Sequence, residues 1–162
     1  MEVLNVHCPG IQNEKFLPDH TGRGRDLSPE LVLEGLSPQA KTLAVTLEDM
    51  SHPVKGFTHW VIWNLPASDK IPGAIPAGKS VPELGAVQGV AYGLHRYAGP
   101  KPPKGKTHTY RFTVYALDCA LDLPGGSRKK AFLRAMEGHI LQSGSVSGEF
   151  ESIRKRSVFY SL

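Results

Sequence analysis

Cysteine is scarce in this 162-residue sequence: Cys8 and Cys119 are the only two, far apart and outside any CxxC spacing. Neither a zinc knuckle nor a redox dithiol can be read from them, and two reduced thiols are expected. Long hydrophobic runs are also missing. No apolar stretch approaches the ~18 residues of a membrane span, so no stable membrane insertion is expected. The first residues, Met1-Glu2-Val3-Leu4-Asn5, carry an acid where a secretory leader carries positive charge, which points to a cytoplasmic protein. No GxSxG elbow surrounds Ser28, Ser51 or Ser145, and no basic helix start adjoins Cys8 or Cys119. Nucleophilic catalysis therefore has no foothold. HxH and HExxH spacings, internal repeats and the signatures of RNA- or DNA-binding modules are absent too, and a net charge of +4 is modest for a nucleic-acid binder.

Turn formers, by contrast, are plentiful: 17 glycines and 13 prolines favour short strands and tight turns over a helical bundle. One domain spanning 1–162 is expected from the length. Runs rich in β-branched and aromatic residues between turn signals predict strands at Val3 to Val6, Leu31 to Leu33, Thr42 to Leu47, Thr58 to Leu65, Thr109 to Leu117, Ser145 to Phe150 and Ser157 to Tyr160. One helix is predicted over Arg128 to Leu141. Ser127 would cap it, Ala131, Phe132, Ala135, Met136 and Ile140 would form its apolar face, and Gly144 would lie beyond its end. Charge is uneven along the chain. Residues 1–81 hold 7 basic and 9 acidic side chains, whereas residues 82–162 hold 12 and 6. The basic clusters Lys101/Lys104/Lys106/Arg111, Arg128/Lys129/Lys130/Arg134 and Arg154/Lys155/Arg156 suit a solvated surface, or the attraction of phosphates or acidic partners.

Strand alternation assigns faces to the candidate functional residues. His59, Val61 and Trp63 point one way from their strand, and Trp60, Ile62 and Asn64 the other. In the later strand His108, Tyr110, Phe112 and Val114 share a side, opposite Arg111, Thr113 and Tyr115. The two histidines meet if these strands pair; taken singly, each also fits a hydrogen-bonded core position. Between the strands runs a stiff loop containing Gly99-Pro100-Lys101-Pro102-Pro103-Lys104-Gly105, whose prolines fix φ and remove donors, making it suited to wall a pocket.

That loop, followed by Thr107-His108-Thr109-Tyr110-Arg111-Phe112-Thr113-Val114-Tyr115-Ala116-Leu117-Asp118, resembles the phosphatidylethanolamine-binding proteins, and specifically their bacterial and archaeal, Raf-kinase-inhibitor-like branch. Further matches occur in the family's order: Ser28-Pro29-Glu30-Leu31, Val45-Thr46-Leu47-Glu48-Asp49 with Pro53 after it, and His59-Trp60-Val61-Ile62-Trp63-Asn64-Leu65-Pro66. The resemblance covers roughly residues 16–150, leaving 151–162 as a C-terminal extension. It departs from the family's usual Asp-Pro-Asp at Asp49-Met50-Ser51 and from the usual His-Arg-Tyr at His108-Thr109-Tyr110. Gly93-Leu94-His95-Arg96-Tyr97 imitates the latter motif but precedes the proline loop, so His108 and not His95 takes the site position.

The resemblance implies a mainly β fold, an antiparallel β-sandwich with one or two peripheral helices, and no cofactor. It implies a small anion pocket lined by Asp49, His59, Pro102, Pro103, His108 and Tyr110, with Tyr97 near its mouth. The function expected is non-enzymatic binding of a phosphate-bearing ligand, such as phosphate, a phosphoryl-ethanolamine headgroup or a phosphorylated side chain, with the histidines titrating near neutrality. Inhibition of a protein kinase or a protease, and a homodimer, are further implications. The other aromatic residues, Trp60, Trp63, Phe112 and Tyr115, are expected in the core. The alternative is a metal-dependent enzyme using Asp49, His59 and His108 as a two-histidine, one-carboxylate site.

Overall fold

The computed structural model describes residues 2–154. The predicted strand Ser157 to Tyr160 and the basic residues Lys155 and Arg156 lie outside the described residues. Twelve strands are formed: β1 (Glu2–Val3), β2 (Asn5–His7), β3 (Ile11–Gln12), β4 (Lys15–Phe16), β5 (Leu31–Glu34), β6 (Thr42–Asp49), β7 (Thr58–Pro66), β8 (Lys70–Ile71), β9 (Ser80–Val81), β10 (Ala86–Gln88), β11 (Thr107–Leu117) and β12 (Ile140–Glu151). A single α-helix, α1 (Lys129–Met136), and a 3₁₀ turn at Pro18–His20 complete the described elements. The large sheet runs β3-β4-β12-β11-β6-β7-β10-β9, with β1 alongside β12; a small sheet runs β2-β5-β8.

These sheets form the expected sandwich because β6, β7 and β11 are covered on both faces. On one side Val45, Leu47, Trp60, Ile62, Phe112 and Val114 meet Leu31, Leu33 and Ile71 of the small sheet in the main core. On the other, Ala44, Val61, Trp63 and Leu117 meet Phe132 and Met136, which lie four residues apart on one stripe of α1.

The helix is shorter than its apolar spacing predicts. Ser127 does not cap it; its hydroxyl donates to the carbonyl of Pro124 at 2.7 Å, and Arg128 occupies the cap position without a side-chain bond. Gly138, at φ 78°, breaks the helical path, and the chain turns from His139 directly into β12. Gly144 is therefore a mid-strand residue. A Cβ there would fall inside the Leu4 carbonyl, where the N-terminal strand crosses β12.

Candidate functional site

One end of the central strands carries the residues singled out by the sequence. The two histidine-bearing strands do not pair with each other: β6 lies between β7 and β11, and it contributes Asp49. Asp49 is directly opposite Tyr110, so Asp49, Tyr110 and His108 share one face by alternation.

His59 reaches that face by a different route. Leu47 pairs with Trp60 but Glu48 pairs with Thr58, leaving His59 as an extra residue in β7. Strict alternation from Trp63 and Val61 would aim His59 at α1. The bulge re-aims it, and its ring lies edge-on to Tyr110 with centroids 5.4 Å apart.

Each imidazole is held by one nitrogen. His108 Nδ1 donates to Asp49 Oδ2 at 2.7 Å, while Asp49 Oδ1 accepts the Ser51 N–H at 2.9 Å. His59 Nδ1 donates to the Ala98 carbonyl at 2.9 Å. Among the described residues, neither Nε2 atom has a hydrogen-bond partner. Burial pushes the His59 imidazole below its ordinary 6.5, against the Ala98 bond and the Asp49 charge that favour protonation. Burial thereby favours the neutral form of the His59 ring. The Tyr110 hydroxyl is buried without a hydrogen bond of ordinary geometry. Burial and the Asp49 charge raise it well above the usual phenol range, offset in part by the Lys101 amide, so it remains a donor.

Asp49, His59, Pro102, Pro103, His108 and Tyr110 line one cup of ≈ 470 Å³, together with Ser51, His52, Pro53, Phe57, Tyr92, Lys101 and Lys106. Its aromatic wall is continuous: His52 stacks on Phe57 at 3.9 Å, and Tyr92 packs against His59 at 4.9 Å. The diproline lip is tied down from behind. Arg23 donates to the Pro102 carbonyl at 3.0 Å and to Ser152 Oγ at 3.1 Å, and the Gly99 amide donates to Asp26 at 2.8 Å. Gly99 is required here because a Cβ would collide with the His20 carbonyl.

Tyr97 is not brought to the cup. It is buried, its hydroxyl donates to the His20 carbonyl at 2.6 Å, and its ring meets Trp60 edge-on at 5.3 Å. The residue two places before Gly99 faces inward in a loop, where no periodicity assigns a side. Phe57, Tyr92 and His52 were missed for the same reason. Lys101 and Lys106, members of a basic cluster suited to phosphates or acidic partners, flank the prolines and line the cup.

The two departures from the family pattern adjoin each other: Ser51 Oγ accepts the Thr109 N–H at 2.8 Å, and the Met50 amide donates to the Thr109 carbonyl at 2.8 Å. A carboxylate and a guanidinium are both absent from this spot, so the local charge balance is unchanged. Among the described residues, the metal-ligating atoms of Asp49, His59 and His108 do not gather within 4.8 Å, whereas those of Asp118, Cys119 and His139 do.

These features define the class as a β-sandwich protein with an aromatic-walled cup at one end, lined by two histidines. Comparison with known proteins gives that class its family. The family described as phosphatidylethanolamine-binding protein matches residues 8–151, and the chain belongs to it. It is 41% identical over 143 residues to a UPF0098 protein of Pyrococcus horikoshii, covering 86% of this chain and 72% of that protein. It is 34% identical over 134 residues to the UPF0098 protein YbhB of Escherichia coli, covering 78% and 83%. Among solved structures, the phosphatidylethanolamine-binding protein homologue CT736 of Chlamydia trachomatis matches with a TM-score of 0.80 at 26% identity, covering 94% of this chain and 99% of that one. YbcL of E. coli matches with a TM-score of 0.79 at 27% identity, covering 91% and 98%. No helix among the described residues is long and apolar enough to cross a membrane.

Proposed function

We propose that this protein is a non-enzymatic binding protein whose cup takes a small phosphate-bearing group, either a phosphoryl-ethanolamine headgroup or a phosphorylated side chain. The observation that carries this reading is that both cup histidines commit Nδ1 to the protein, line one shared cavity, and have no hydrogen bond at Nε2 among the described residues. Lys101 and Lys106 at the rim add the positive charge that draws an anion in. Asp49 acts as a positioning residue: by accepting from Nδ1 it fixes the tautomer and orientation of His108. His59, neutral in the free protein, takes up a proton as the anion arrives, and the Tyr110 hydroxyl supplies a further donor at the floor. A cup of ≈ 470 Å³ suits a headgroup rather than two acyl chains.

Charge-assisted hydrogen bonds contribute roughly 1.5–3 kcal/mol each, much of it offset by the ligand's lost freedom, so millimolar to micromolar affinity is expected. Calorimetry with inorganic phosphate, phosphoryl-ethanolamine and a phosphoserine peptide tests the proposal. The double variant His59→Ala/His108→Ala should lose at least tenfold in affinity, and Asp49→Ala should weaken binding while Asp49→Asn retains part of it. Titrations identical to wild type would overturn the site. Preference for the peptide over the headgroup would favour a protein partner, such as a kinase or protease regulated by this chain.

A further inference from the structure

The opposite end of β11 carries a second constellation. From His108 to Asp118 is ten residues of extended chain, about 33 Å at the usual strand rise, so this place is remote from the cup. Asp118 and Cys119 leave the end of β11, and His139 stands just before β12. The donor atoms of all three lie within 4.8 Å of one another.

Backbone ties hold this arrangement in place. The Asp118 amide donates to the His139 carbonyl at 3.0 Å, and Thr42 Oγ1 donates to the Cys119 carbonyl at 2.7 Å. His139 Nδ1 is bonded to Asp118 Oδ1 at 2.8 Å, which orients the ring against the carboxylate. Asp118 and His139 are exposed and Cys119 is half-buried, so an ion has an open approach from solvent.

We propose that Asp118, Cys119 and His139 form a binding site for a borderline-soft divalent cation of the Zn²⁺ class. A thiolate, an imidazole and a carboxylate are the donor types that Zn²⁺ takes, and three protein ligands leave a fourth position for water. The ion displaces the Cys119 thiol proton to solvent and bonds the sulfur. A hard cation such as Mg²⁺ or Ca²⁺ would find one carboxylate and two poor ligands. A bound ion would close the loop between Asp118 and His139, which carries α1, onto the ends of two neighbouring strands.

Titration of the full chain with Co²⁺ as a spectroscopic probe tests the assignment. The expected result is a thiolate-to-cobalt charge-transfer band saturating at one ion per chain and bleached by Zn²⁺. Cys119→Ser should abolish the band. His139→Ala and Asp118→Asn should each raise the half-saturating concentration at least tenfold. Cys8, the only other cysteine, is buried with its thiol pushed up to about 11, and Cys8→Ser should leave the band intact. Zn²⁺ should also raise the Tm of the wild type and not that of Cys119→Ser. Absence of the band, its survival in Cys119→Ser, or an unshifted midpoint in His139→Ala would overturn the site.

Discussion

At the scale of single residues, His59 is the one whose burial most directly sets a testable property. Its ring is 4% exposed and neutral, and the Ala98 carbonyl fixes which nitrogen carries the proton. Because burial lowers its folded-state pKa below 6.5, the unfolded chain binds a proton there first. The stability tied to this residue is complete above pH 6.5 and is lost as pH falls below it. The Tm of the wild type should therefore fall more steeply between pH 7 and pH 5 than that of His59→Gln; parallel curves would contradict a neutral buried ring. On the proposed function, a phosphate dianion in the cup would reverse the preference and draw a proton onto His59. Phosphate should accordingly bind more tightly at pH 6 than at pH 8, with proton uptake visible as a buffer-dependent heat.

Among the elements, two junctions matter most to the cup: the bulge in β7 and the diproline loop. Arg23 bonds the loop to Ser152 across the chain, and removing it leaves the Pro102 carbonyl without its charged donor. Arg23→Ala should weaken phosphate binding severalfold and speed proteolysis within residues 99–106, while the Tm falls only slightly. Gly144→Ala should instead destabilise the whole fold by about 1–3 kcal/mol, because β12 cannot give way without displacing the strand at Leu4. The long strands β6, β7 and β11 were legible in the sequence because each carries eight or more residues of β-branched and aromatic pattern between turns. Strands of two residues, such as β8 and β9, are too short to carry any period, and they form because longer neighbours hold them. The helix end was misread for a related reason: Ile140 continues the apolar spacing of α1, yet it belongs to β12. Of the seven site residues expected, Asp49, His59, Pro102, Pro103, His108 and Tyr110 share the cup. Their positions followed from the family-like motifs. The route by which His59 arrives did not, since a bulge depends on register between strands and leaves no mark in the period of either one.

At the scale of the whole molecule, the uneven charge of the sequence does not become a basic half among the described residues. Strands β11 and β12, from the basic half, lie beside β6 and β4 from the acidic half, and Lys129 is paired with Glu48 at 2.8 Å. Arg154 packs over Gly105, next to the proline loop. Among the described residues, Lys101 and Lys106 line the cup without a salt-bridge partner, and on the proposed function the pull on an anion is local. Phosphate affinity should fall as NaCl is raised, and Lys101→Gln/Lys106→Gln should flatten that dependence. The most direct measurement of the central claim is a crystal of the full chain soaked in phosphate. Density for the anion within hydrogen-bonding distance of Nε2 of both His59 and His108, beneath Pro103, is the predicted result. An anion found only elsewhere on the molecule, with the cup holding water alone, would contradict it.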